Sequence, residues 1–408
     1  MIKEDIDIST IRWADWSSDP YPLYRALRDR APVYHDEPNN DYVITRYSDC
    51  AAILIDSKRY SNASTPIPEG QLQNPLSPIR SSDPPRHTYL RKMINPLFSP
   101  KKMRELEPYF VDVSREILDK AEQTEVMEAS SQLGIPLPGR VTCDLMGIPL
   151  EQHQLLLELT EERLSLLLVS LGNTKPRPGM RTWDEVRADL WAVLGPVAEQ
   201  RRREPTTDGM TLLVQAQAEA GRDQFSDDLL VDLLLHLLSG GFHTTQHLIE
   251  MLISMLADRP ELWRRMREDR SLIPVAIEEM LRYDAPVQAL PRRTHEEVEI
   301  AGVTIPKGAS IKTVYGSANR DERVFPDPDE FSLDRRPNRH LAFSTGIHVC
   351  PGSPVSRAEA RALFAEMADR YVAIERVGPS ERWPSEQPQR TVESMHGFRS
   401  VPVRLVRA

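Results

Sequence analysis

The residues best suited to chemistry surround Cys350, which lies in the stretch AFSTGIHVCPGSPVSRAEARALFAEMADRY. Gly346 and Gly352 flank this cysteine, and a helical pattern follows it directly. The dipole and amide hydrogens of a helix N-terminus stabilise a thiolate, and glycines allow the tight backbone turn that points such hydrogens at sulfur. The spacing therefore predicts an exposed thiolate with a lowered pKa at Cys350. Cys50 and Cys143 lack this context and are interpreted as small buried hydrophobic residues.

A second candidate site is the stretch GGFHTTQH, in which His243 and His247 are four residues apart. On a helix this spacing places both imidazoles on one face, where they could bind zinc. A zinc peptidase of the H-E-x-x-H kind has a glutamate directly after the first histidine, and Thr244 stands there instead. No third ligand is identified, although Glu250 lies on a neighbouring turn. A zinc hydrolase is kept as an alternative to a His247 that is buried and hydrogen-bonded in the core.

The cysteine stretch contains Phe343, Gly346, His348, Cys350 and Gly352. This spacing resembles the F-x-x-G-x-x-x-C-x-G haem-binding loop of the cytochrome P450 family. The resemblance implies that the cofactor is haem b (iron protoporphyrin IX), that Cys350 binds its iron, and that the other four residues bind the cofactor. In that family the thiolate ligand pushes electron density toward iron and favours cleavage of the O–O bond.

Three further segments match motifs that surround the haem in this family. EEMLR contains Glu279 and Arg282 in the E-x-x-R arrangement, which implies a structural clamp beneath the haem loop. DPPRHTYLR contains His87 and Arg91, and LPRRTHEEVEI contains Arg292, at positions where the family contacts the haem propionates. Arginine and histidine suit this role because they donate charge-assisted hydrogen bonds to carboxylates.

GGFHTT resembles the oxygen-activating notch in the long central helix of the family. The resemblance implies that Gly240 and Gly241 thin this helix beside the haem, and that Thr244, Thr245 and His243 form the catalytic group. The hydroxyl of Thr244 would hydrogen-bond the oxygen that is being activated. His243 departs from the family, which commonly has an acid at this position. Because imidazole titrates near neutral pH, His243 is predicted to relay protons, with a histidine that merely bonds across helices as the alternative.

A second departure is Pro351, directly after the ligand cysteine, where most family members have a residue with an amide hydrogen. Hydrogen bonds to sulfur withdraw electron density, so the missing donor predicts a more electron-donating thiolate. Ser344 and Thr345 also replace the more common glycine and basic or aromatic residues. The shape of this turn is therefore left open.

The elements that must position these residues follow from the apolar pattern. Helical spacing dominates about 87–282 and 353–371, whereas β-branched residues and short alternations mark about 30–60 and 286–320. The longest helical pattern runs from about residue 226 to 256, which is roughly 45 Å. No linker divides the chain. We therefore predict one domain over residues 1–408, mainly α with small β-sheets, with the cytochrome P450 fold and a long central helix over a buried haem.

The composition restricts the partners. Hydrophobic residues make up 40% and charged residues 27% of the chain, and the mean hydropathy is -0.44, as expected for a soluble protein that does not enter membranes. A net charge of -10 without a long Lys/Arg run gives no basis for nucleic-acid binding. The start MIKEDIDIST lacks the apolar segment of a signal peptide, so a cytoplasmic location is expected. The protein is also predicted to be a monomer.

The resemblance also implies an electron donor and a substrate pocket. Without a fused reductase, ferredoxin and ferredoxin reductase are the expected donors, docking on Arg357, Arg361 and Lys101. The pocket is expected to be mainly apolar and to take a lipophilic or aromatic natural-product intermediate, which would be hydroxylated or epoxidised. Oxidative coupling or desaturation by the same chemistry, and a haem-binding protein without turnover, are the alternatives. The predicted lining consists of the loop at 61–85, the hairpin at 164–182, the helix face at 238–245, and Val287, Ala289, Leu290 and Met395.

Overall fold

The computed structural model describes residues 6–9, 11–16, 18–63, 78–170, 178–382 and 395–407, and of residues 164 and 167–170 the backbone only. Most of the predicted loop at 61–85 and part of the predicted hairpin at 164–182 lie outside the described residues. No helix within the described ranges has the length and apolar character needed to cross a membrane.

Helices make up most of the described chain, which confirms the predicted fold class. They are α1 (Tyr21–Arg30), α2 (Tyr47–Ile55), α3 (Arg86–Ile94), α4 (Pro100–Ala121), α5 (Pro136–Met146), α6 (His153–Ser170), α7 (Trp183–Arg203), α8 (Gly209–Ala220), α9 (Asp227–Asp258), α10 (Pro260–Glu268), α11 (Leu272–Tyr283), α12 (Tyr315–Ala318) and α13 (Ser353–Arg370).

The central helix is α9, which begins and ends within two residues of the predicted limits. The side chain of Ser226 accepts a hydrogen bond from the Leu229 amide at 3.2 Å, and two aspartates follow in the first turn, so the N-terminus is capped and its dipole is compensated. Most of its residues are buried, because α5, α6, α7, α11 and α13 pack around it. A helix that is apolar on nearly every face needs such a cover.

The strands are β1 (Val33–Asp36), β2 (Asp41–Ile44), β3 (Tyr60–Ser61), β4 (Met127–Glu128), β5 (Ala289–Thr294), β6 (Val298–Ile300), β7 (Val303–Ile305), β8 (Ser310–Val314), β9 (Tyr371–Arg376), β10 (Glu381–Arg382), β11 (Phe398–Ser400) and β12 (Pro402–Arg407). The two β-rich portions combine in one five-stranded sheet with the order β1-β2-β8-β5-β3. Within it β8 pairs parallel with β2 and antiparallel with β5. Arg292 therefore lies on strand β5 of this sheet.

Candidate active site

The loop around Cys350 is closed by two backbone hydrogen bonds. The Cys350 amide donates to the Phe343 carbonyl at 2.9 Å, and the Ser344 amide donates to the Leu341 carbonyl at 2.8 Å. The cysteine is half-buried, and α13 begins three residues later. The amides of Gly352 and Ser353 point at its sulfur. The loop thus holds the Cys350 thiol next to two backbone amides that can donate hydrogen bonds to its sulfur.

The ionisation of Cys350 differs from the sequence-based expectation. Burial raises the pKa of the Cys350 thiol, whereas the amides of Gly352 and Ser353 and the positive charges of Arg91 and Arg357 act in the opposite direction without outweighing it. The sequence pattern indicated the stabilising amides but not the removal of the sulfur from water. Such a sulfur ionises when a metal cation binds it.

Two residues of the loop adopt left-handed backbone conformations. Gly346 has φ +73, and a Cβ added there would lie 2.5 Å from the Leu54 carbonyl oxygen, so only glycine fits. Ser344 has φ 61, and this is the position where the family more commonly has glycine. The turn whose shape the sequence left open therefore has the left-handed backbone conformation that glycine favours, although serine occupies the position.

Two histidines and two arginines form a cluster of donors beside the loop. The rings of His87 and His348 lie 4.0 Å apart between centroids, and in the part of the chain that the structure describes the Nε2 atom of each is buried without a hydrogen-bond partner. Burial, followed by the charges of His87, Arg292 and Arg91, lowers the pKa of His348 to about 3. Burial and the charge of Arg91 also lower the pKa of His87.

This cluster fits the carboxylate edge of a haem. The acid whose charge acts on the pKa of His87 is Asp83, and its carboxylate already accepts hydrogen bonds from Ser61 and from the Asn62 amide. Buried donors without an acceptor and buried like charges are costly unless a ligand compensates them. A group with two carboxylates, such as a porphyrin, supplies both acceptors and negative charge, so the donor set present here fits haem.

The predicted clamp pair lies in contact and is fully buried. Arg282 donates through Nε and Nη2 to the two carboxylate oxygens of Glu279, at 2.9 and 2.8 Å. Arg335 adds a third bond to Glu279 at 3.0 Å. The remaining donors of Arg282 reach the carbonyls of Asn319 and Pro328. This network ties α11 to the segment that leads into the cysteine loop.

The notch of α9 is formed by Gly240 and Thr244. The Thr244 hydroxyl donates to the Gly240 carbonyl at 2.9 Å, and apart from its chain neighbours and the nearby backbone of α9, a Cβ added at Gly240 would meet no heavy atom of the described chain within 4 Å. Gly241 faces elsewhere, because its added Cβ would lie 2.6 Å from the Thr142 hydroxyl on α5. Thr245, expected in the catalytic group, is buried and donates to Ser356 at 3.1 Å. That bond holds α9 against α13 a short way after the cysteine loop.

The two histidines of GGFHTTQH have separate carboxylate partners. His243 Nε2 lies 2.6 Å from Glu161 Oε1 on α6, and His247 Nδ1 lies 3.1 Å from Glu250 Oε2. The hydrogen bond from His243 lowers the pKa of Glu161. Among the described residues no group of three His, Cys, Asp or Glu could hold a metal ion, which argues against the zinc alternative. His247 is buried in the core, as its second interpretation held.

The predicted pocket residues on β5 and near it separate into two groups. Val287 and Met395 form an isolated antiparallel bridge, and Val287 and Leu290 are half-buried, as pocket-lining residues can be. Ala289 is 2% exposed and packs with Val314 and the N-terminal residues. The structure thus places Ala289 in the core and on the opposite face from Leu290, because successive side chains of a strand point to opposite faces.

Sequence reasoning missed three polar residues of α6 and α9. Glu161 and Arg163 lie on α6, where Arg163 Nη1 donates to the Ser239 hydroxyl of α9 at 3.3 Å. His236 precedes Gly240 by four residues and Thr244 by eight, so all three share one face of α9. That spacing was the available signal for His236, whereas the contact of Arg163 depends on how two helices cross.

Comparisons with known proteins agree with this geometry. The family model described as cytochrome P450 matches residues 34–375. A nocardicin C N-oxygenase of Nocardia uniformis subsp. tsuyamanensis is 34% identical over 377 residues, covering 89% of each chain. A mycinamicin IV hydroxylase/epoxidase of Micromonospora griseorubida is 31% identical over 372 residues, covering 88% of this chain and 90% of the relative. The crystal structure of a P450 from Bacillus megaterium in complex with testosterone superimposes with a TM-score of 0.82 at 28% identity, covering 96% of this chain and 99% of that one.

Proposed function

The chain belongs to the cytochrome P450 family, and from this premise we propose that it is a monooxygenase that hydroxylates or epoxidises a small molecule of natural-product biosynthesis. Two relatives whose names refer to nocardicin and mycinamicin support this substrate class. The haem supplies, when bound, an iron that activates dioxygen with electrons from a reductant, and thiolate ligation favours O–O cleavage. The residues of this chain bind the haem, direct protons and position the substrate.

We assign the binding of haem b to five residues that the loop, α3 and β5 bring together. Cys350 would provide the sulfur ligand to iron, with its lone-pair density moderated by the amides of Gly352 and Ser353. His87, His348, Arg91 and Arg292 would hold the propionates, since the first two have buried Nε2 atoms that lack partners in the described chain. Phe343, Gly346 and Gly352 would shape the loop around the sulfur.

The bond from the Thr244 hydroxyl to the Gly240 carbonyl is the observation that carries this proposal. A threonine hydroxyl that bonds the carbonyl four residues earlier can bend a helix locally, and here it lies beside the open space at Gly240. A hydroxyl there can accept one hydrogen bond and donate another, and can hold a proton at the site where oxygen is cleaved. Thr245 acts as a positioning residue, because its hydroxyl is bonded to Ser356.

His243 would supply protons to this site from Glu161. The side chain of Glu161 is 56% exposed and that of His243 is 13% exposed, so the pair joins solvent to the interior of α9. Successive side chains of a helix point about 100° apart, so a proton passing from His243 to Thr244 needs a water molecule or a rotation of the imidazole. The alternative role of His243, a hydrogen bond that only joins α9 to α6, also involves Glu161. Measurements of turnover are therefore needed to distinguish proton relay from this structural role.

The test compares two neighbouring threonines. The holoenzyme would be reduced under labelled dioxygen in the presence of a lipophilic compound that shifts the haem to high spin. We expect the product to gain one labelled oxygen atom, and Thr244→Ala to form less product and more hydrogen peroxide per reductant consumed. Thr245→Ala should keep the wild-type ratio, and His243→Phe should resemble Thr244→Ala while binding the compound normally. A product without labelled oxygen would overturn the proposal.

Electrons would come from a separate ferredoxin that docks near the cysteine loop. Lys101 and Arg361 are exposed on α4 and α13, which pack against each other. Arg357, also expected at this surface, instead donates two hydrogen bonds to Glu278 at 2.6 and 2.8 Å, which compensates its charge. The docking surface that we propose is therefore centred on Arg361, with Lys101, whose Nζ lies 3.9 Å from Glu105 Oε1, as a partly compensated neighbour.

A further inference from the structure

A cluster of one acid, one guanidinium and one imidazole lies beside the cysteine loop. Glu278 is on α11 and Arg357 on α13, and His340 lies in the segment that leads into the loop. Arg357 donates to the two carboxylate oxygens of Glu278 at 2.6 and 2.8 Å, and His340 Nε2 lies 3.1 Å from Glu278 Oε2. A bidentate pair of this kind holds the guanidinium in a defined place.

The hydrogen bonds of His340 define the charge of the cluster. The Ala342 amide donates to His340 Nδ1 at 3.3 Å, so the ring hydrogen is on Nε2 and is donated to Glu278. In this tautomer the imidazole is neutral, and its side chain is 3% exposed. The cluster therefore consists of one cation and one anion, and a neutral histidine helps to hold the anion.

The guanidinium of Arg357 lies over an aromatic ring of the cysteine loop. Its Cζ atom is 4.5 Å from the centroid of the Phe343 ring. The Phe343 carbonyl accepts the hydrogen bond from the Cys350 amide at 2.9 Å, so the residue under the guanidinium is joined directly to the cysteine. Burial raises the pKa of the Cys350 thiol, and the charge of Arg357 is among the influences that lower it. The contacts and the charge thus agree that this cation acts on the sulfur.

Charge beside the sulfur changes the stability of a reduced haem. Reduction adds one electron to the haem site, so a nearby cation stabilises the reduced form and a nearby anion destabilises it. An ion pair has little effect at long range, but close to it the nearer of its two charges dominates. Here Arg357 packs on the loop, and Glu278 reaches Arg357 from α11. The side chain of Arg357 is 35% exposed, so water weakens its effect without removing it.

We propose that Arg357, held in place by Glu278 and His340, raises the reduction potential of the haem, and that Glu278 partly offsets its charge. This inference rests on the proposed function, since it requires a haem ligated by Cys350. Arg357 then acts on the electron acceptor, whereas the sequence resemblance implied a contact with the electron donor. A higher potential makes the haem easier to reduce by a given donor, so the cluster favours the electron transfer on which turnover depends.

The test is a redox titration of the substrate-free holoenzyme with dithionite and mediators at low ionic strength. We expect Arg357→Gln to lower the ratio of reduced to oxidised haem at a fixed potential about fivefold, a shift of about 40 mV. Glu278→Gln keeps an oxygen that accepts from Arg357 but removes the negative charge, so it should raise the ratio by a smaller factor. Arg357→Lys keeps the positive charge and should stay closer to the wild type than Arg357→Gln does. The double variant Arg357→Gln/Glu278→Gln should lie between the two single variants.

Arg370→Gln is the matched control. Arg370 is the last residue of α13, roughly 20 Å from Arg357 by the helical rise, and it donates to Asp119 of α4 at 2.5 Å. This variant also breaks an ion pair between α13 and another helix, but it removes no cation from the cysteine loop. Its potential should therefore equal that of the wild type.

The direction of the shifts separates an electrostatic role from a structural one. A cluster that only joins α11 to α13 predicts shifts in the same direction for Arg357→Gln and Glu278→Gln, because both weaken one ion pair. Such shifts, or unchanged potentials in both variants, would overturn the proposal. If Arg357→Gln does not retain haem, Glu278→Gln decides, since a raised potential supports the proposal and an unchanged or lowered one refutes it. The spectrum of the reduced, CO-bound wild type tests the proposed function separately, because it reports thiolate ligation whatever the potentials of the variants are.

Discussion

Gly346 is the position of the cysteine loop that tolerates substitution least. Replacement by alanine at φ +73 would place a methyl group 2.5 Å from the Leu54 carbonyl. We expect Gly346→Ala to lower the free energy of unfolding of the holoprotein by roughly 2–4 kcal/mol, from backbone strain and overpacking together. Thermal unfolding and haem content measure this effect.

Gly352→Ala is the control for that prediction. Gly352 has a negative φ, and its added Cβ would lie 3.9 Å from the Cys350 sulfur, an ordinary contact. This variant should retain haem and unfold within about 1 kcal/mol of the wild type, since an alanine tolerates that conformation. Equal stability of the two variants would show that the close approach to Leu54 is relieved at little cost.

The absence of an amide hydrogen at Pro351 leads to a prediction about the electron density on the Cys350 sulfur. The amides of Gly352 and Ser353 point at Cys350, whereas Pro351 has no hydrogen to donate. Pro351→Leu adds a donor, which should withdraw electron density from sulfur and raise the haem reduction potential in a redox titration. Pro354→Leu, one residue into α13, should leave the potential unchanged. A potential that stays or falls in Pro351→Leu would refute the argument.

For single residues, the sequence indicates which side chains belong to the site, but it does not predict their burial or their partners. The choice of Cys350, His87, Arg292 and the pair of Glu279 and Arg282 follows from motif spacing, because the roles proposed for them require particular side chains at particular intervals. The raised pKa of Cys350 could not be predicted, since burial depends on what the rest of the chain places around the sulfur. The hydrogen-bond partner of each of these residues likewise depends on the tertiary structure.

Among the elements, the contact between α11 and α13 predicts a pH dependence. Burial alone would raise the pKa of Glu278, but hydrogen bonds from Arg357 and His340 lower it to about 2 in the folded protein. A lowered pKa stabilises the fold above the unfolded-state pKa near 4.5, and this stabilisation is lost as the pH falls toward 2. It amounts to at most about 3 kcal/mol.

Glu278→Gln should therefore unfold at lower denaturant concentration than the wild type at pH 7, and the difference should shrink between pH 4.5 and pH 3. Denaturant titrations at several pH values measure it. Glu261→Gln, an exposed residue of α10, is the control and should follow the wild type at every pH. A constant difference for Glu278→Gln across this range would contradict the ionic origin of the stabilisation.

Helix limits were more predictable than helix contacts. The long apolar pattern predicted α9 to within two residues at each end. The joining of two β-rich portions into one sheet was not predicted, since β2 and β8 are far apart in the chain and pair in parallel. The position of Arg163 on Ser239 likewise depends on the crossing of α6 and α9.

For the whole molecule, the net charge of -10 makes the distribution of surface cations important for an acidic electron donor. Arg361→Glu should slow reduction of the haem by ferredoxin several-fold at low ionic strength, and added salt should reduce the difference because it screens exposed charges. Lys307→Glu, in the turn between β7 and β8, carries the same change of charge and should leave the rate unchanged. Stopped-flow reduction distinguishes the two, and equal rates would exclude docking at Arg361.

The most direct test of the whole account is the absorption spectrum of the reduced, CO-bound protein. We expect the red-shifted Soret band of a thiolate-ligated haem, for which the family is named. Cys350→Ser should abolish this band, whereas Cys143→Ser, which alters a buried cysteine of α5, should retain it. A purified wild-type protein that shows the spectrum of nitrogen-ligated haem, or that contains stoichiometric zinc and no haem, would contradict the account.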